Sequence, residues 1–375
     1  MGKIIYECCL ASLAGTTIDI AVTATPGRYR LIDCIRFTRD HILCIKEFMD
    51  ISTIPYSAIS YVWRGNSVDP STAREGSGTF SVKGAEDGDP INIDVLQRAC
   101  SASLLELADH LWLDRLCIIQ TNHDDKAWQI GRMYGIYKLC KVCVVLPGGI
   151  GRLVSEEEET VWIERAWTLQ EVTAPKHSMV LFAWEYGTGE WEGWQGGVKG
   201  RVTQVIPRKS AIMPVREMLN ACFYPMALDW IPADGTQGRD DVTVSILGTY
   251  GESSIGSLLW ALEVDDPEAK SLSIWRCALL RTSSRPVDMV FSIMGTFGVT
   301  LDLRAFHQND RIGATIALSH KRSSTAGGSR LGLRYRWISL LHESFPHSRS
   351  FHRQMLRERY SGSRRTGVTK LGSTI

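Results

Sequence analysis

The first clear strand pattern of the sequence is Tyr-Ser-Ala-Ile-Ser-Tyr-Val-Trp at residues 56–63. They are rich in β-branched and aromatic residues and run into a turn signal at Arg64-Gly65-Asn66, which predicts a β-strand. Further strands are predicted at 111–119, 141–146 and 178–184, with apolar residues at helical spacing between them. This alternation is typical of an α/β fold with a parallel sheet and helices on both faces.

Capping residues mark the start of each predicted helix. The first helix is expected to start at Asp94, the second at Asn122 and the third at Ser155. Side-chain oxygens at these positions can accept hydrogen bonds from the free backbone amides of the first helical turn. The second helix is expected to end near Cys140.

Four regions are predicted along the chain. Residues 1–55 are an amino-terminal extension with short strands around 30–35 and 41–45, and residues 56–205 are the α/β domain. Residues 206–318 are predicted to be a mainly helical region packed on that domain, with helices at 255–264, 268–280 and 286–297. Residues 319–375 form a tail of different composition.

The tail is strongly basic. It holds 12 Lys and Arg residues against Glu343 and Glu358, a net charge of +10, so residues 1–318 carry −9 of the chain's total of +1. Two interpretations stay open. The tail is either a disordered basic segment that contacts acidic partners or the translation of a frameshifted or mis-spliced reading frame.

Composition narrows the class of protein. A net charge of +1 gives no global reason to expect nucleic acid as a partner. No window approaches the roughly 18 consecutive apolar residues that a membrane-spanning helix needs. The ten cysteines have no repeated spacing, which favours free thiols in a reducing compartment. We therefore expect a cytoplasmic protein.

Asp114 is the most informative candidate for a site. Open α/β sheets bind ligands at the carboxyl ends of their strands, and Asp114 shares a predicted strand face with Trp112 and Leu116. Its carboxylate is therefore expected to be partly buried and to need a partner, for which Arg165 on a later helix is predicted. The pair is either a structural link between sheet and helix or part of a ligand site.

The segment 165–171, Arg-Ala-Trp-Thr-Leu-Gln-Glu, combines apolar and polar side chains. Trp167 and Glu171 are one helical turn apart, with Gln170 beside them. An aromatic ring and a carboxylate can hold a ribose or a planar base, but the same residues can also merely cover the sheet edge. Gln120 is predicted to lie in a polar turn after the second strand.

Metal sites and familiar catalytic motifs are not predicted. Cys140 and Cys143 have the spacing of a metal or redox pair, but no second pair lies at zinc-site distance, so both are assigned to the core. The glycines at 148, 149 and 151 fit neither phosphate-binding fingerprint and are followed by four glutamates, which favours a plain turn.

Three blocks of sequence resemble the motifs of the fungal heterokaryon-incompatibility (HET) domain family. Residues 56–63 resemble its opening motif, 111–120 continuing to 137 its central motif, and 165–171 its third motif. The blocks occur in family order and cover about residues 56–185, and residues 281–295 are similar to a segment that often follows the domain. Arg64 before Gly65 and the long loop at 66–90 depart from the pattern.

The resemblance implies a role in fungal non-self recognition and programmed cell death. It also implies a fold similar to TIR domains, with a flavodoxin-like parallel sheet. Some TIR relatives cleave NAD, so NAD is a conceivable substrate, while no cofactor is implied. Glu171 and Asp114 are then the candidate catalytic residues; the other candidates in the motifs or crevice are Tyr61, Trp63, Gln120, Arg165, Trp167 and Gln170.

Two functional hypotheses remain. The first is a signalling or effector module that works through protein partners and self-association. The second is an NAD glycohydrolase with Glu171, Asp114 and Trp167 around the nucleotide. The first is favoured because no catalytic constellation is recognisable in the sequence.

Overall fold

A computed structural model describes residues 2–67, 76–193, 198–223, 228–249 and 251–325. Residues 1–311 form one compact unit, and a second unit begins at Ile312. The strands are β1 (Lys3–Cys9), β2 (Thr17–Ile18), β3 (Tyr29–Asp33), β4 (Ile42–Phe48), β5 (Tyr56–Tyr61), β6 (Thr79–Val82), β7 (Ile91–Asn92), β8 (His110–Trp112), β9 (Val142–Leu146), β10 (Ser178–Phe182), β11 (Gly189–Gly193), β12 (Lys199–Ile206), β13 (Ser210–Pro214), β14 (Leu228–Pro232) and β15 (Arg239–Val242). The α-helices are α1 (Leu10–Leu13), α2 (Ile93–Leu105), α3 (Asp114–Cys117), α4 (His123–Leu139), α5 (Ala166–Thr173), α6 (Val215–Phe223), α7 (Ser253–Glu263), α8 (Pro267–Leu279), α9 (Asp288–Met294) and α10 (Arg311–Thr325).

One large sheet dominates the first unit. Within the described residues it has 12 strands in the order β1-β4-β3-β8-β5-β9-β10-β13-β12-β11-β14-β15. Strands β8, β5, β9 and β10 are parallel to one another, and the remaining pairings are antiparallel. The predicted α/β class is confirmed. The prediction of a parallel sheet is correct only for these four strands, and a TIR-like or flavodoxin-like core is not confirmed.

Most of the antiparallel strands lie outside residues 56–205, the predicted α/β domain. The two predicted strands of the amino-terminal extension are confirmed as β3 and β4, and β3 pairs with β8, so the extension continues the central sheet. The three helices predicted between 255 and 297 are confirmed as α7, α8 and α9. The predicted mainly helical region 206–318 also supplies strands β13, β14 and β15, which lack a clear sequence signal.

The predicted strand at 111–119 is wrong beyond Trp112. The chain turns into α3 at Asp114, and the amide of Cys117 donates to the carbonyl of Leu113 at 2.7 Å. A short apolar run can be a strand or a buried helical turn, and periodicity alone does not separate the two.

Two predicted helix starts are also corrected. Asn92, and not Asp94, caps α2, because its side chain accepts hydrogen bonds from the amides of Asp94 and Val95. Asn122 caps α4 as predicted. The third predicted helix does not begin at Ser155: a turn and a short 3-10 helix at Trp162–Glu164 precede α5.

Helices cover both faces of β5. The hydroxyl oxygens of Ser57 and of Ser103 on α2 lie 2.6 Å apart, while the Tyr56 hydroxyl donates to the carbonyl of Ile136 on α4 at 2.5 Å. Consecutive strand residues point to opposite faces, so α2 and α4 lie on opposite sides of the sheet. Every residue of β5 and β9 is consequently buried.

Two predicted segments, the loop at 66–90 and the tail at 319–375, are only partly covered by the described residues. In the long loop predicted at 66–90, residues 79–82 form β6, while 68–75 lie outside the described residues. Helix α10 extends to Thr325, and residues 326–375 of the basic tail lie outside the described residues. The region boundaries therefore stay predictions.

All ten cysteines are free, and Cys117, Cys140 and Cys143 are buried as expected. Within the described part of the chain, no helix is both long and apolar enough to cross a membrane.

Candidate functional site

Asp114 lies at the carboxyl end of β8, at the first position of α3, and its carboxylate is bound by the opening motif. The Tyr61 hydroxyl donates to Oδ1 at 2.6 Å, and the Trp63 indole nitrogen donates to Oδ2 at 2.8 Å. The Arg115 amide also donates to Oδ1 at 2.6 Å. Burial raises the pKa of Asp114, and the hydrogen bonds from Tyr61 and Trp63 oppose that rise.

Gln120 belongs to the same cluster. Its side-chain nitrogen donates to the Asp114 carbonyl at 2.9 Å, and the residue is buried. The structure therefore brings together four of the predicted residues: Tyr61, Trp63, Asp114 and Gln120. Tyr61 ends β5 and Trp63 follows it, Asp114 follows β8, and Gln120 follows α3.

The predicted partner of Asp114, Arg165, serves another role. Its backbone is extended and forms a bridge with Thr282, and its carbonyl accepts a hydrogen bond from Arg281 at 2.8 Å. Burial raises the pKa of Asp288, and the positive charge of Arg165 is among the interactions that oppose this rise. The prediction of an ion pair between Arg165 and Asp114 is wrong, because Arg165 precedes α5 rather than lying within a helix that faces β8.

Glu171 is buried on α5 and is tied to the sheet. Its Oε2 accepts a hydrogen bond from the Ser60 hydroxyl at 2.6 Å, and the Ser60 oxygen in turn accepts from the Trp162 indole nitrogen at 2.9 Å. Ser60 and Trp162 are fully buried, and Glu171 is 8% exposed. Ser60 therefore links the opening motif to the third motif.

Burial dominates the electrostatics of Glu171. It raises the pKa of Glu171 to about 8, and the nearby Asp114 carboxylate adds to the rise. The hydrogen bond from Ser60, the positive charge of Arg281 and the Tyr137 hydroxyl act in the opposite direction. Glu171 is consequently protonated in a large part of the molecules near neutral pH, a state in which a carboxyl group can transfer protons.

Arg281 completes the buried cluster. It is 4% exposed and donates to the Thr168 hydroxyl at 2.5 Å, and burial lowers its pKa to about 10. Sequence reasoning did not assign Arg281 to the site, although it opens the segment that often follows a HET domain. A charged residue in a region predicted as helical gives no signal that it is buried.

Trp167 and Gln170 have other neighbours than Glu171. Trp167 hydrogen-bonds Asp288, the first residue of α9, which partly offsets the effect of burial on the pKa of that carboxyl. Gln170 is buried and lines a cavity between α4 and the end of α9. The three side chains Trp167, Gln170 and Glu171, which were predicted to surround one ligand, therefore contact different parts of the protein.

Two glycine turns meet beside the site. A Cβ on Gly65, after β5, would lie 1.8 Å from the carbonyl oxygen of Gly148, after β9. Gly149 has a φ of +89°, which favours glycine. The glycines after β9 thus form a turn, as predicted, and that turn packs directly against the end of the opening motif.

This fold and site define an α/β protein in which three sequence motifs meet through two carboxyl groups, one partly buried and one buried. Residues 56–155 match the family described as heterokaryon incompatibility protein (HET). These residues are therefore a HET domain, and the resemblance inferred from the first two blocks is confirmed, while the third block at 165–171 lies beyond the matched residues. Ser60, Tyr61, Asp114 and Gln120 lie inside the matched residues, whereas Glu171 lies beyond them. A search of curated proteins and a search of solved structures gave no match.

Proposed function

We propose that this protein is a signalling or effector module of fungal non-self recognition and programmed cell death, acting in the cytoplasm through protein partners and self-association. The HET domain at residues 56–155 supports the biological context. One observation favours a signalling module over an enzyme: both candidate catalytic carboxyl groups are hydrogen-bonded to side chains of the protein itself. Asp114 is held by Tyr61 and Trp63, and Glu171 is held by Ser60.

These hydrogen bonds join separate parts of the chain. Tyr61 and Trp63 fasten the end of β5 to α3, and Ser60 fastens β5 to α5. Buried polar groups that are fully satisfied fix one arrangement of the elements that carry them. A fixed arrangement of three motifs offers partner proteins a constant surface, which is what a signalling module needs.

The experiment compares matched carboxyl variants during inducible expression of the full chain in fungal cells. Glu171→Gln keeps an oxygen that can accept from Ser60, and Glu190→Gln at an exposed position of β11 is the control. For a module, both variants cause cell death at the wild-type level when they fold. Selective loss of cell death in a folded Glu171→Gln variant would contradict the module.

An NAD-cleaving enzyme is the second candidate function, and one observation favours it. Glu171 has a pKa raised to about 8 and contacts a serine hydroxyl near the carboxyl ends of parallel strands. A carboxyl group with a pKa near neutrality is suited to general acid and base catalysis. In this hypothesis NAD is a substrate, with Glu171 and Asp114 as the catalytic residues.

A direct assay separates the two candidates. The purified full chain is incubated with NAD, and the loss of NAD is followed for the wild type, Glu171→Gln and Glu190→Gln. NAD loss that disappears only in Glu171→Gln supports the enzyme. No NAD loss from a folded protein that self-associates, measured by sedimentation, supports the module.

A further inference from the structure

The segment between β6 and β7 lies against residues that follow the parallel strands β5 and β8. This segment, called the strap below, is Lys-Gly-Ala-Glu-Asp-Gly-Asp at residues 83–89. The Asp89 amide donates to the carbonyl of Trp63 at 2.8 Å, and a Cβ on Gly84 would lie 3.1 Å from the Cβ of Gln120. The strap therefore packs on the site cluster, at the edge where open α/β sheets bind ligands.

Two arginines hold the strap through its main chain. The two terminal guanidinium nitrogens of Arg115 donate to the carbonyls of Asp89 and Ala85, the latter at 3.1 Å. The Nε of Arg64 donates to the carbonyl of Asp87 at 2.8 Å. Neither arginine forms an ion pair with a carboxylate among the described residues. Neutral carbonyl oxygens of the strap thus hold two positive charges.

Arg115 shows that the strap is an incomplete partner. The side chain is fully buried, and a buried charge is costly unless it is paired. Its Nε has no hydrogen-bond partner within the described part of the chain. The planar fork of guanidinium donors matches the oxygens of a phosphate group bidentately. A phosphate in place of the strap would supply both the oxygens and the missing negative charge.

A third cation lies near the strap. Burial and the positive charge of Arg285 lower the pKa of Lys126, on the first turn of α4, and the negative charges of Asp87 and Asp114 oppose this effect. The ammonium group is therefore close enough to the strap to interact with it electrostatically. It has no ion pair among the residues that the structure describes. The strap is thus bordered by three cations that lack a direct carboxylate partner.

The strap has the features of a segment that can be displaced. Its acidic residues are Glu86, Asp87 and Asp89, and the first two are exposed. Ala85 is the only buried residue of the seven. Segments with few buried apolar contacts open at a low cost in free energy. The closed strap therefore brings negative charge to the cations and gives up little apolar packing when it leaves.

We propose that the strap is an autoinhibitory lid over a binding site for a small molecule that carries a phosphate group. In the closed state the strap carbonyls occupy Arg64 and Arg115; in the open state phosphate oxygens accept from these donors, and Lys126 adds its charge. Asp114 places one negative charge outside the strap against three positive charges. The inference does not rest on the proposed function, because such a lid would control a signalling module and an enzyme alike.

Hydrogen exchange of the strap amides tests the lid, measured by mass spectrometry on the full chain during a titration with pyrophosphate. Exchange within residues 83–89 should become faster, because a bound phosphate keeps the strap away from its partners, such as the Trp63 carbonyl. The readout is local to the strap, so pyrophosphate that binds the basic tail does not register. Sodium chloride at the same ionic strength should leave the exchange rate unchanged.

Two variants should shift the half-saturating concentration of pyrophosphate in opposite directions. Lys126→Gln removes one of the cations and should raise this concentration about tenfold. Glu86→Gln combined with Asp87→Asn removes two negative charges from exposed positions of the strap and should lower it about tenfold.

Matched controls remove the same charges elsewhere. Lys141→Gln, at the exposed amino end of β9, and Glu190→Gln combined with Asp240→Asn, at exposed positions of β11 and β15, should leave the half-saturating concentration unchanged. Strap exchange that pyrophosphate leaves unchanged or slows in the folded wild type would overturn the inference. Equal shifts for Lys126→Gln and Lys141→Gln, or an equal effect of sodium chloride, would also overturn it, because both indicate general ionic effects.

Discussion

The parallel centre of the large sheet (β8, β5, β9 and β10) and its antiparallel wing (β13, β12, β11, β14 and β15) bury their residues differently. In the centre, β5 and β9 are buried at every position, whereas β11 and β14 in the wing alternate buried with more exposed residues. A strand covered on both faces must satisfy its polar side chains inside the protein. A strand with one solvated face can direct them to water.

The contents of the two regions follow from this difference. The centre holds hydrogen-bonded pairs, such as Ser60 with Glu171, whereas the wing holds a cluster of tryptophans. Trp191 on β11 lies opposite Trp230 on β14 in the strand register. The centroid of the Trp184 ring lies 4.8 Å from that of Trp230 and 5.9 Å from that of Trp191. The stability of the centre should therefore depend on protonation, and that of the wing on buried apolar area.

The largest expected effect is in the wing. Trp191 is fully buried, so Trp191→Ala should lower the free energy of unfolding by about 3–5 kcal/mol. Urea unfolding at pH 5.5 and pH 7.5 should show the same loss, because no titrating group takes part. The control is Trp260→Ala at a position that is 58% exposed, where the change should stay within about 0.5 kcal/mol. If the loss of unfolding free energy in Trp191→Ala changed with pH, the wing would not differ from the centre in its dependence on protonation.

The second effect is the pH dependence of the centre. The pKa of Glu171 is about 8 in the folded protein, against 4.5 as its ordinary value. Between these values the folded protein keeps a proton that the unfolded chain has lost, so stability falls as pH rises. This contribution is complete below about pH 4.5 and falls by at most roughly 1.4 kcal/mol per pH unit up to the folded pKa.

The measurement is the difference between wild type and Glu171→Gln in urea unfolding from pH 5.5 to pH 7.5. The wild type should lose stability relative to the variant by roughly 2–3 kcal/mol over this interval. The curve of Glu190→Gln, at an exposed position of β11, should run parallel to that of the wild type. If the unfolding free energies of the wild type and Glu171→Gln changed with pH in the same way, the pKa of Glu171 in the folded protein would not be raised.

The sequence predicted the parallel centre but not the wing, for the same physical reason that separates the two. Strands buried on both faces, such as β9 with Val-Cys-Val-Val-Leu, are continuous apolar runs that stand out. In the wing, β11 carries Glu190 and Glu192, so its amino acids are equally typical of a loop. Its pairing with β12 and β14 comes from tertiary structure, which a single sequence does not reveal.

The candidate site was predicted in the same uneven way. Asp114 is partly buried, as expected, but the strand face from which this was predicted ends at Trp112, and the partners of Asp114 were not predicted. Tyr61 and Trp63 reach it because β5 lies beside β8 in a register that pairs Ala58 with Trp112. Arg281 lies 113 residues from Thr168, to which it donates, and no local pattern reports such a contact.

The third prediction concerns the hydrogen bond to Asp114. Tyr61→Phe should lower the free energy of unfolding by about 2 kcal/mol, because it removes a donor from a partly buried carboxyl group. The pKa of Asp114 should rise further, since that hydrogen bond opposes the effect of burial. Unfolding titrations measure the first effect, and carboxyl NMR the second. Tyr186→Phe, which removes a hydroxyl from a ring that is 37% exposed, is the control and should change stability by less than about 0.5 kcal/mol.

The smallest effect compares one substitution in both regions. Trp162 in the centre donates to Ser60, whereas the indole nitrogen of Trp191 has no hydrogen-bond partner among the described residues, and both rings are fully buried. Trp162→Phe should therefore cost about 1 kcal/mol more than Trp191→Phe, since the loss of apolar area is alike and only the first breaks a hydrogen bond. Urea unfolding of both variants measures this difference.

A double-mutant cycle with Ser60→Ala assigns that difference to the hydrogen bond. Without the Ser60 oxygen, the Trp162 nitrogen has lost its acceptor, so the extra cost of Trp162→Phe should disappear. An extra cost that persists would place its origin in the shape of the Trp162 site. In that case the centre and the wing would both be stabilised mainly by packing, and the polar pairs of the centre would serve to fix the positions of the motifs.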